Sequence, residues 1–167
     1  MRKERKPQSG KDGKMLQENK ESVSRKITKY RKDVEELCRY LSWLESKQGQ
    51  DLRSSYDPGE GKSAVTITVP VYDSTLLGFI KKAQKTAFMD RNYVYVYRRL
   101  KINSPEDEHR VIDTTQIMEI ENLGAILSSY CMRGMTKSVV WSEGVRNGVF
   151  CHLVKRMKEL IEFWSAE

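Results

Sequence analysis

A chain of 167 residues with 30 Lys and Arg against 23 Asp and Glu carries a formal charge of +7. That length suits one domain with its own core, and no apolar run approaches the roughly 20 residues that a membrane span needs. Three cysteines, odd in number and each in a helical apolar pattern, predict buried reduced thiols rather than a disulfide framework.

The charge is uneven. Residues 1–32 hold 12 basic and 4 acidic side chains, while the remainder holds 18 and 19, so the whole positive excess lies in the first fifth. Residues 1–14 have little to bury, and Pro7, Gly10 and Gly13 oppose a helix, which predicts a disordered basic arm carrying Arg2, Lys3, Arg5 and Lys6. Such an arm attracts polyanions by charge and counterion release; a solubilising tail is the competing reading. It lacks the apolar stretch of a secretory signal, so a cytoplasmic protein with no membrane role is expected.

A long amphipathic helix is expected over about 18–48. Val23, Ile27, Tyr30, Val34, Leu37, Leu41 and Leu44 alternate spacings of four and three, the seam of a helix that meets a partner. Read as a coiled coil, Ile27, Val34 and Leu41 take one core position and the others the second, which suits a parallel homodimer. Cys38, Tyr40 and Trp43 widen the stripe, which favours docking onto the chain's own domain. Opposite the seam, Arg25, Lys29, Lys32 and Arg39 form a basic stripe.

A loop over 49–63 follows. Its GEGKS run is not a phosphate loop, because Tyr56 stands where the first glycine is required and a strand-like run comes next. Residues 64–71 alternate Val65, Ile67 and Val69 with threonines, a short extended segment that Pro70 confines to an edge. A helical body over 73–164 is then expected, with Asp73 capping its first helix. Residues 90–102 admit two readings. A strand would align Tyr93, Tyr95 and Tyr97 as a stacking platform beside Arg98, Arg99 and Lys101. A helix would bury Met89, Tyr93, Val96, Tyr97 and Leu100, and is preferred for its helical neighbours.

Ser104-Pro105-Glu106-Asp107 is a helix start, and Asp113 with Gln116 marks another. Gly134 is placed as a left-handed terminator, Thr136 as a cap, and Asn147-Gly148 as a break before the last helix. Lys155, Arg156 and Lys158 on that helix read as a solvated face. Together with the rest, this describes a mainly α chain, a single compact helical domain over 15–167.

Chemistry-bearing residues are sparse. His109 sits among acids, and His152 beside Cys151, whose side chain points about 100° away on a helix. No catalytic set, metal site or cofactor is expected. Glu35/Glu36 and Glu106 to Glu108 read as solvated carboxylates.

From Thr66 onward, the runs TITVPVYDSTLLGFI and LGAILSSYCMRGMTKSVVWSEGVRNGVFCHLVKRMKEL carry an aromatic-x-x-Gly element (Trp141, Gly144), a second glycine (Gly148) and a Lys/Arg–apolar repeat. In these the chain resembles a bacterial domain-of-unknown-function family of small, mostly helical proteins often carried on conjugative and other mobile elements. Val140-Trp141 departs from the Arg-Phe pair frequent in that family. The resemblance implies a helical domain in a mobile-element setting and no particular activity. Combined with the basic arm and stripe, it makes the expected partner nucleic acid or a nucleoprotein complex, including a Cas-type nuclease that the protein would inhibit. A basic chain is not a nucleic-acid mimic. The competing expectation is a protein–protein module that dimerises or docks through the seam.

Overall fold

The structure, a computed structural model, describes residues 9–50, 52, 54–56, 69–71, 73–137 and 139–166. Among these the protein is mainly helical. Helix α1 (Ser9–Cys38) leads directly into α2 (Leu41–Lys47). The body comprises α3 (Ser74–Gln84), α4 (Tyr93–Arg99), α5 (Pro105–Thr114), α6 (Glu121–Arg133), α7 (Val139–Arg146) and α8 (Val149–Ser165), with a 3₁₀ turn at Ile117–Glu119. Two three-residue strands, β1 (Ser54–Tyr56) and β2 (Val69–Val71), pair antiparallel, with Ser55 opposite Pro70. Residues 57–68, which contain GEGKS and the alternating run before Val69, lie outside the described residues, as do Arg2, Lys3, Arg5 and Lys6.

Local signals set several boundaries. Asp73 accepts from the Thr75 amide at 2.7 Å and Ser104 from that of Asp107 at 3.2 Å, each replacing a helix partner that the first turn lacks. Pro105 at the first position needs no partner for its nitrogen. Residues 93–99 are helical despite their β propensity, because burying Val96 and half-burying Tyr93 and Tyr97 on one face outweighs it.

Two helices organise the interior. Nine consecutive residues of α6, Leu123–Cys131, are buried, so neighbours surround that helix on every side. α8 buries Phe150, Leu153, Val154, Met157, Leu160 and Ile161 and packs against α1, α2, α5 and α7. All three cysteines are free thiols; burial raises each of them, Cys131 to about 12.

Five expectations are corrected. Residues 9–14 form the first turns of α1 instead of a disordered arm, because extending a nucleated helix costs little per residue. The long helix does not continue to 48; it breaks at Arg39-Tyr40, where Tyr40 lies over Gly78 and packs edge-on against Phe79 at 5.6 Å. Asp113 belongs to the last turn of α5, and α6 begins only at Glu121. Thr136 is not the residue before α7, and its hydroxyl donates to the Arg133 carbonyl.

Gly134 is the fifth. It is right-handed, with φ −68°, so it is not needed for its backbone freedom. It is needed because the indole of Trp141 occupies the space a Cβ would take, with Nε1 donating to the Cys131 carbonyl at 3.2 Å. Gly134→Ala is therefore expected to cost about 1–3 kcal/mol by displacing that ring. Urea unfolding reads this directly, and an unchanged midpoint would show that the indole is not fixed there. Gly148 does adopt the left-handed region, with φ +77°, and lets α7 turn into α8.

Candidate functional site

Two surfaces emerge, and only the first is the expected one. Along α1, Ile27, Tyr30, Val34, Leu37 and the following Leu44 are buried in the chain's own core, with Val23 and Leu41 partly buried beside them. Of the two readings of the seam, this is the favoured one, docking onto the chain's own domain: α3, α8 and the 3₁₀ turn cover it. Arg25, Lys29, Lys32 and Arg39 all lie on the exposed side. Arg25 meets Glu21 at 3.8 Å, an exposed contact worth little, and Arg39, itself exposed, meets at 3.3 Å a part-buried Glu36 that also pairs with Lys82 at 3.1 Å. Lys29 Nζ sits 5.0 Å from the Tyr30 ring. The cations at the end of the body are engaged instead: Lys155 with Glu45 at 3.2 Å, Arg156 with the Thr115 carbonyl at 2.8 Å.

The seam's forward extension is open. Gly13 to Glu21 are all exposed, and Leu16 and Val23 overlook a groove of about 840 Å³ between α1, the 3₁₀ turn and the end of α8, with Met118 and Trp164 on its far wall.

The second surface is a cleft of about 460 Å³ bounded by α4, α5 and α6, with Glu108 in its wall. Glu108 is buried, against the expectation of a solvated carboxylate. Tyr97 donates to one of its oxygens at 2.6 Å and Tyr130 to the other at 2.8 Å. Burial first, then the Glu108 charge, push both phenols far above the ordinary tyrosine range. Arg133 lies 5.0 Å from the Tyr130 ring and donates to Ser129 at 2.9 Å. The Asn147 side-chain amide donates to the Tyr130 hydroxyl at 3.0 Å.

Behind the cleft the two histidines meet, which overturns the expectation of separate contexts. Their Nδ1 atoms stand 2.6 Å apart. His109 Nε2 donates to the Asn147 carbonyl at 2.9 Å, and His152 Nε2 lies 2.7 Å from Asp113. The sequence held a partial signal. Glu108, Val111, Ile112 and Thr115 form one buried stripe at spacings of three, four and seven, so Glu108 belongs to the inward face. His109 and Asp113 share a neighbouring stripe. Nothing local announces His152, 43 residues further on.

Among the described residues, no group of three or more His, Cys, Asp or Glu side chains is placed to hold a metal, and no helix is long and apolar enough to cross a membrane. No family model, curated protein or solved structure matches the chain.

Proposed function

We propose that the protein is a binding protein that engages the phosphate backbone of nucleic acid, free or within a nucleoprotein complex, through the outer face of α1. The supporting observation is the separation of roles on that helix: its seam is consumed internally, which leaves Lys14, Arg25, Lys29 and Lys32 on the opposite, exposed side. Lys14 to Lys32 span about 27 Å of helix at 1.5 Å per residue, enough to follow several phosphates. The concentration of the chain's positive excess in residues 1–32 adds to the same field. In a host-defence setting, the same face would compete for a nuclease's guide or target strand.

Anisotropy titrations with random-sequence duplex and single strands, in rising salt, test this. Affinity should fall linearly with log salt, and the triple change Arg25→Glu, Lys29→Glu, Lys32→Glu should weaken binding and flatten that slope by about 3. No affinity at low ionic strength removes the reading. The open groove beside Leu16 and Val23 favours a second reading, docking of a protein partner along the front of α1. Charge reversal on the opposite face would leave that docking intact, so the two readings separate.

A further inference from the structure

The protons around His109 and His152 do not add up for two neutral rings. The Asn147 carbonyl can only accept, so His109 Nε2 carries a hydrogen; Asp113 Oδ1 at 2.7 Å draws a second hydrogen to His152 Nε2. A neutral imidazole has one N–H, and both are then spent outward. The ring planes differ by only 23°, and the 4.9 Å between centroids exceeds the 2.6 Å between nitrogens by roughly two ring radii. The rings therefore meet edge to edge with their Nδ1 lone pairs head-on. Two bare lone pairs at 2.6 Å repel; one hydrogen between them turns the contact into a short, charge-assisted bond.

We propose that His109 and His152 form a site for a single proton, an imidazole–imidazolium clasp that ties α5 to the first turns of α8 and releases as pH rises. Asp113 balances its charge. The other ionic groups nearby are engaged elsewhere: Arg110 with Asp107, Lys155 with Glu45, Arg156 with Glu159 and Thr115, and Glu108 with its two phenols. On α7, which ends just before Asn147, the charged groups Glu143 and Arg146 are not bonded to either ring. A transition-metal ion fits less well. Two imidazoles on one tetrahedral ion with bonds of about 2.0–2.1 Å stand further apart than these nitrogens do.

The clasp reaches the cleft through one residue. Asn147 accepts from His109 through its carbonyl and donates through its amide to Tyr130, which in turn donates to Glu108. The clasp holds on the acid side, where the pair carries its proton, and that restraint is lost when rising pH removes it. Cleft geometry is thereby linked to the proton.

Two-bond 1H–15N imidazole spectra of the full chain, from about pH 5 to about pH 8, test this. The pair should take up one proton across the range instead of two, with both rings responding at one midpoint, and the Asn147 amide should follow it. Asp113→Asn, a change at a largely exposed side chain, should move that midpoint to lower pH without unfolding the protein. Two independent single-proton titrations, or an Asn147 amide that ignores them, would overturn the clasp. So would a one-to-one response to added zinc at constant pH, which would reassign the nitrogens to a metal.

Discussion

Glu108→Ala is expected to lower the stability of the protein by about 3–5 kcal/mol, an effect usually seen when a buried charged network loses its centre. Both carboxylate oxygens accept from phenols, so the substitution deletes two bonds and leaves the hydroxyls of buried Tyr130 and part-buried Tyr97 without that acceptor. For a chain of this length, the melting temperature should fall by about 6–20 °C. Tyr97→Phe removes one bond and no charge, and should cost about 1 kcal/mol. If Glu108→Ala unfolds within about 1 kcal/mol of the parent, the triad is not structural.

The pH dependence follows the same contact. Both phenols are raised by burial and by Glu108, so the folded state holds their protons more tightly than the unfolded state does. Their contribution is complete below the ordinary tyrosine value of about 10 and is lost above it. Urea midpoints measured across that value should fall with pH in the parent and fall less in Glu108→Ala.

Leu37→Ala is the second large effect, about 2–5 kcal/mol, because the side chain is wholly buried where α1 crosses the body. It also decides what the seam is for. A seam buried within one chain makes both parent and variant melt at temperatures independent of protein concentration. A coiled-coil dimer would instead give melting points that rise with concentration, and that result would return the seam to a partner. The surrounding contacts favour the first outcome: Tyr30 stacks on Phe88 at 4.4 Å, and its hydroxyl reaches Glu121 at 3.3 Å. Burial, and then Glu121, hold that phenol up at about 12.

Features governed by neighbours in sequence were legible. The caps at Asp73 and Ser104 and the turn at Gly148 each depend on a few residues within two turns. The break at Arg39-Tyr40 was not legible, since the heptad spacing runs through it and only Tyr40 meeting Gly78 and Phe79 ends the helix there. Gly134 was marked as special for the wrong reason: a glycine serves equally as a left-handed residue or as the floor beneath a ring, and the sequence does not distinguish them.

By itself, then, the sequence determined a helical chain, the seam and cationic edge of its first helix, and the concentration of positive charge near its start, because periodicity and composition are local properties. Tertiary packing alone decided that the seam faces inward, that Glu108 is enclosed by two tyrosines, and that His109 and His152 meet. Those contacts join residues far apart in the chain: Tyr30 and Glu121 stand 91 positions apart, and α8, which helps cover the seam, lies further on still. Their existence depends on how α1, α4, α5, α6 and α8 settle against one another, a choice made by the whole core.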